Sequence, residues 1–145
     1  MKKSIIILYV AFLSATTFAQ TAKHINLKNG IAIQGYDPVA YFESTKAIEG
    51  KKEITAKFND ATYQFASENN KDLFLKNPTH YEPQFGGFCA FGMSEGYEAS
   101  IKPEAFTVVE DKLYLNYNLK VREDWSKNKE ARIVKATVNW GKIKK

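Results

Sequence analysis

His24, His80 and Cys89 are the only imidazole and thiol groups in this 145-residue chain. They are too few for a closed structural zinc site, which usually takes four Cys or His donors from spaced pairs. A smaller site built from His80, Cys89 and an acid such as Glu82 would hold donors suited to copper or zinc. Cys89 also follows Gly86-Gly87, whose exposed amides at a helix start would favour a reactive thiolate, with His80 as the candidate base. Beside these stands the plainer reading of a small buried side chain between Phe88 and Phe91. The two glycines allow close backbone approach. His80, Tyr81, Phe85, Phe88 and Cys89 are therefore the ligand-binding candidates, expected to line a small, partly apolar cavity. No catalytic residue, metal ligand or cofactor is assigned from these spacings.

Other chemistry-bearing patterns are missing. Gly86-Gly87 lacks the spacing and the Gly-Lys-Ser/Thr ending of a phosphate loop, and there is no Gly-x-Ser-x-Gly or His-Glu-x-x-His run. Asp37, Glu82, Glu95 and Glu104 are available for paired acid chemistry, but that depends on separations in space that a sequence does not give. The formal charge of +5 comes from lysines scattered among acids, with one small cluster at Lys142, Lys144 and Lys145, so no nucleic-acid partner is expected.

The elements that must position these residues follow from alternation and capping. Ile54-Thr55-Ala56-Lys57-Phe58 and Thr62-Tyr63-Gln64-Phe65 alternate about Asn59-Asp60-Ala61 and predict a hairpin buried on one face. Ser67 caps a following helix with Leu73, Phe74 and Leu75 on its apolar side, ended by Asn77-Pro78. Pro83 leads into the glycine-aromatic turn, which opens a short helix from Phe88 to Ser94. Pro103 precedes a second hairpin, Phe106 to Val109 with Lys112 to Tyr117, rich in β-branched and aromatic residues. From Lys120 or Val121 the chain turns helical, with Val121, Trp125, Ile133, Val134 and Val138 on one broad face and a break near Asn128. The hairpin shapes at 54–65 and 106–117 are similar while their sequences match poorly, and no repeat of solenoid period is visible. The expected class is α+β, a small single domain with two β-hairpins, an intervening helix, the glycine-aromatic turn and a C-terminal helix.

The first residues read as an export signal. Met1-Lys2-Lys3 is basic, Ser4 to Phe12 is almost purely apolar, and Ala15 to Ala19 ends in small residues. A signal peptide over 1–19, cleaved before Gln20, leaves residues 20–145 as the exported domain, periplasmic or extracellular. The apolar run falls short of the roughly 20 residues that cross a bilayer as a helix, so no stable membrane span is expected after cleavage. A lone cysteine forms no disulfide within the chain, and stability must come from packing.

Gly35-Tyr36-Asp37-Pro38-Val39-Ala40-Tyr41-Phe42, then Tyr63-Gln64-Phe65-Ala66-Ser67, Phe74, Asn77-Pro78 and Tyr81, then Pro83 to Ala90 and Lys112 to Asn118, resembles the exported single-domain branch of the YHS-domain family. The similarity spans about residues 30–125. It implies an α+β fold in which Asp37, Pro38, Tyr63, Phe65, Ser67, Gly86 and Gly87 carry the structural motif. It also implies metal handling, since related modules accompany heavy-metal transport ATPases and some oxygenases. In those modules cysteines follow Asp-Pro-Val and sit inside the aromatic-to-serine motif, where this chain has Ala40 and Ala66. An alanine methyl binds no metal, so no tightly bound ion is expected. The reading is an exported small-ligand-binding module associated with metal handling. The alternative is a non-catalytic exported scaffold or protein-interaction domain, engaging a partner through the strands near Tyr114 and Tyr117. An enzymatic role is left open.

Overall fold

The computed structural model describes residues 24–143, and the predicted signal segment 1–19 lies outside the described residues. A short antiparallel pair, β1 (Leu27–Lys28) and β2 (Ile31–Ala32), runs into a tight turn at Ile33–Gly35 and the one-turn helix α1 (Ala40–Glu43). The first hairpin follows as β3 (Lys51–Phe58) and β4 (Ala61–Phe65), then helices α2 (Glu68–Lys76) and α3 (Pro78–Tyr81). A second tight turn at Gln84–Gly87 leads to α4 (Ala90–Ser94), the hairpin β5 (Lys102–Val109) and β6 (Lys112–Asn116), and the helices α5 (Leu119–Ser126) and α6 (Lys129–Ile143). The strands form a mixed four-stranded sheet in the order β1-β2-β4-β3 and a separate two-stranded sheet, β5-β6. The result is the expected α+β domain.

The two hairpins are halves of an internal structural repeat. Lys51, Phe58, Ala61 and Phe65 bound the strands of the first, and Lys102, Val109, Lys112 and Asn116 those of the second, each 51 residues on. Both register shifts match too, Lys51/Thr55 in one and Lys102/Phe106 in the other. Both loops are two residues long with positive φ, Asn59 and Asp60 at 49° and 64°, Glu110 and Asp111 at 47° and 60°. That is the turn whose twist suits a right-handed hairpin. Each hairpin ends in a capped helix: Ser67 Oγ accepts from the Asn70 amide at 3.2 Å, and Asn118 Oδ1 from the Val121 amide at 2.8 Å. Upstream, Ile33, Gln34 and Gly35 share three consecutive positive φ values with Phe85, Gly86 and Gly87. Ring packing repeats as well, since Tyr63 lies 4.7 Å from Phe74 and Tyr114 lies 5.5 Å from Trp125. The repeat is hidden in the sequence because it is held by backbone conformation and by side-chain class rather than identity.

Two expectations need correction. Pro103 lies inside β5 rather than ahead of it. It falls between the paired residues Lys102 and Phe106, where the ladder is interrupted, so its missing N–H costs no pairing. Val134 and Val138 do not share the buried face of Trp125: they are 66% and 55% exposed. The break at Lys127 and Asn128 resets the helical phase, so α6 turns Ile133, Ala136, Trp140 and Ile143 inward instead.

Two apolar clusters form the interior. One gathers Val39, Tyr41, Tyr63, Phe65, Phe74, Tyr81, Cys89, Leu113 and Leu115 under both hairpins. The other gathers Phe85, Ala90, Met93, Tyr114, Trp125 and Ala136 beneath α6. Among the described residues no helix is long and apolar enough to cross a membrane.

Candidate functional site

Asp37 is fully buried, and its carboxylate is the most heavily bonded side chain of the core. Pro38 biases Asp37 away from helix and α1 begins three residues later, so one oxygen meets the first free amides of that helix. Oδ1 accepts from the Val39 and Ala40 amides at 2.8 and 3.3 Å, and Oδ2 from the Ala66 amide and Asn70 Nδ2 at 2.8 and 2.7 Å. The two positions at which the family resemblance implies cysteine, Ala40 and Ala66, are thus brought together about Asp37. The backbone amides of both donate to the carboxylate. A buried carboxylate with four donors ties α1 to the end of β4 and the start of α2.

In the repeat, Cys89 stands where Asp37 stands. It is 1% exposed and caps α4, its sulfur accepting from the Gly92 amide at 3.5 Å and its S–H donating to Asn116 Oδ1 at 3.6 Å. Asn116 Oδ1 also accepts from the Phe91 amide at 3.0 Å. Its Nδ2 is buried and has no hydrogen-bond partner among the described residues. Cys89 is therefore a packed capping thiol, closed off from solvent. Asn116 was the missed residue, and its signal was legible as an asparagine inside an apolar strand, where that residue is depleted.

The remaining candidates are distributed over three surroundings. His80 packs against Phe42 and Tyr81 with ring centroids 4.8 and 4.5 Å apart, and its Nδ1 lies 3.3 Å from Asp111 at the tip of the second hairpin. Tyr81 continues from it into the core. Phe88 stacks on His24 at 5.1 Å and lies 6.2 Å from Trp140 of α6, while His24 Nε2 meets Glu98 Oε1 at 2.7 Å. Phe85 and Gly86 line a cleft of about 300 Å³ with Ile25, Tyr63, Glu82 and Trp140. Burial raises the Tyr63 hydroxyl well above its usual pKa, and the nearby Glu82 adds to the effect. Gly86 is required there, because a Cβ would sit 2.5 Å from the His24 carbonyl and 2.9 Å from the Trp140 ring. The first residues of the domain thus clasp the glycine-aromatic turn, with the Asn26 amide donating to the Gly86 carbonyl at 2.8 Å.

A larger cleft, about 580 Å³, opens between the first turn and the second hairpin. It is lined by Gln34, Tyr36, Ile101, Glu104, Tyr117 and Asn118, among others. Tyr36 donates to Glu104 Oε1 at 3.0 Å, and that bond, more than burial, raises the Tyr36 pKa. Gln34 Nε2 donates to the Ile101 carbonyl at 2.8 Å. Tyr117 and the following Leu119 are 53% and 56% exposed. Among the described residues no group of three or more His, Cys, Asp or Glu side chains is placed to hold a metal ion.

Comparison of the chain with family models, with curated proteins and with solved structures gives no match.

Proposed function

We propose that this chain is a non-catalytic, exported scaffold or protein-interaction domain, a cysteine-poor relative of the YHS modules it resembles. The observation that carries the reading is the exposed Tyr117 on the lining of the larger cleft, with Leu119 exposed two residues further along the chain. Tyrosine is enriched at the centres of protein interfaces because its ring supplies contact area at small entropic cost and its hydroxyl supplies a hydrogen bond. The polar lining from Gln34, Tyr36, Glu104 and Asn118 would pair with the backbone of a docked protein segment. The residues that sequence suggested for chemistry support the same reading, since Cys89 is consumed as a cap and His80 as a packed ring.

A second reading, small-ligand binding, draws support from the cleft under Gly86, where Phe85, Glu82 and Trp140 combine an apolar wall with a carboxylate. Heteronuclear NMR separates the two. A purified partner from the exported fraction of the native host should shift the amides of residues 100–104 and 116–119, and Tyr117→Asp with Leu119→Lys should abolish the shifts without unfolding the domain. Shifts confined to residues 82–88 on addition of zinc, copper or small exported metabolites would replace the interaction reading with the ligand reading.

A further inference from the structure

We infer that α6 carries a self-association seam on its solvent side and that its occupant is a second copy of this chain, with the two helices parallel. The inference is independent of the cleft beside Tyr117. A surface helix ordinarily places charge opposite its buried stripe. In α6 the inward residues are Ile133, Ala136, Trp140 and Ile143, and the opposite crest is Ala131, Val134, Val138 and Gly141. Those four follow one another by three, four and three residues, the spacing of a coiled-coil seam. Val134 and Val138 are 66% and 55% exposed, so nothing among the described residues covers them.

Gly141 is a second, separate observation. A methyl group added there would meet nothing within 4 Å, and its backbone is not in the left-handed region. Glycine inside a helix is destabilising relative to alanine, and no contact among the described residues requires it. A helix backbone approaching closely on that crest would require it, as small residues at helix crossings do.

The flanks decide between occupants. Glu130 lies on one side of the crest, and Lys135 and Lys142 lie on the other. Glu130 is 77% exposed, and its ion-pair partner among the described residues is its neighbour Lys129, at 3.1 Å. In a parallel pair, the residue before the first seam position of one helix faces the residue five places later on the other. That rule sets Glu130 of each copy against Lys135 of the other, twice by symmetry, with Thr137 against Lys142. An antiparallel pair would bring Lys135 against Lys135. An anionic surface would meet Glu130 as a repulsive group. The seam spans less than two heptads, so it supports a concentration-dependent monomer–dimer equilibrium rather than a permanent dimer.

Sedimentation velocity of the chain from Gln20 to Lys145, over a range of concentrations at low salt, tests this with circular dichroism as the folding control. The unaltered chain should self-associate, and Val138→Lys should remain monomeric with an unchanged spectrum. Glu130→Lys and Lys135→Glu should each weaken association roughly tenfold, and the double variant Glu130→Lys/Lys135→Glu should restore it to within about threefold. A chain that stays monomeric up to millimolar concentration overturns the proposal. So does a double variant that associates as weakly as the single ones, which would remove the parallel pairing, and so does an association indifferent to Val138→Lys.

Discussion

The two halves of the repeat use the same backbone to bury different polar groups. In the first, Asp37 gathers four donors and none of its oxygens is left with a single weak bond. In the second, Cys89 takes the equivalent place, and its partner Asn116 stands where the first half has the apolar Phe65. The bonds to sulfur are long and one amide donor of Asn116 goes unpaired. A tight turn with three positive φ values, a one-turn helix and a hairpin thus do not require a charge at their junction; they require an acceptor at the start of the helix. The carboxylate adds strength by reaching a second element, and the thiol and amide do so only partly.

The largest effect expected from this contrast is at the two junctions. Asp37→Ala leaves four buried or part-buried donors without their acceptor and should cost about 3–5 kcal/mol. Cys89→Ala at the equivalent position should cost about 1–2 kcal/mol, since it removes weak bonds and a small volume. Urea unfolding of both variants checks the order, and equal losses would break the contrast.

Alkaline titration sharpens it further. Burial raises the pKa of Tyr41 and Tyr63 in the first half and of Tyr114 in the second. The folded chain therefore holds protons that the unfolded chain releases near pH 10. The stability from each group is complete below that pH and is lost as pH rises through the folded pKa, by up to about 1.4 kcal/mol per pH unit for each tyrosine. Tyr63→Phe should flatten the loss between pH 10 and 12 measured by urea unfolding, and Tyr114→Phe should flatten it less, because Tyr63 is the more deeply buried.

The helix caps should respond alike. Ser67→Ala and Asn118→Ala each remove one side-chain acceptor from the first free amides of a helix and should each cost about 1 kcal/mol by thermal unfolding. A clear difference between them would mark where the repeat stops being energetic as well as geometric. The smallest effect lies in the hairpin loops. Asn59 suits positive φ and Glu110 does not, so Glu110→Asn should stabilise the second hairpin by roughly 0.5 kcal/mol, again by thermal unfolding.

The two hairpins, the Glu110-Asp111 loop and the Ser67 cap were legible because each is a local matter: alternation, turn chemistry and one side chain reaching an amide three residues on. The short strands β1 and β2 were not, and Ala61, read as part of the first loop, belongs to β4. The break near Asn128 was legible, again as a local matter. Its consequence was not, since a helix restarted after two residues takes a new phase, and that phase moved Val134 and Val138 out of the core. The candidate set of His80, Tyr81, Phe85, Phe88 and Cys89 is contiguous in sequence yet faces three ways in space. The positive φ values from Phe85 to Gly87 turn the chain sharply between them.

Taken alone, the amino-acid order determined the α+β class, the two hairpins, the Ser67-capped helix and the poverty of metal donors. These rest on neighbouring residues and on counting. Tertiary structure alone decided that the two hairpins belong to one repeat, that Asp37 and Cys89 are equivalent, and that the glycine-aromatic turn is clasped by His24 and Trp140. Those relations join residues far apart in the chain. Backbone conformation and packing fix them, and both tolerate the exchange of Phe65 for Asn116 or Phe74 for Trp125 that hides the likeness from sequence.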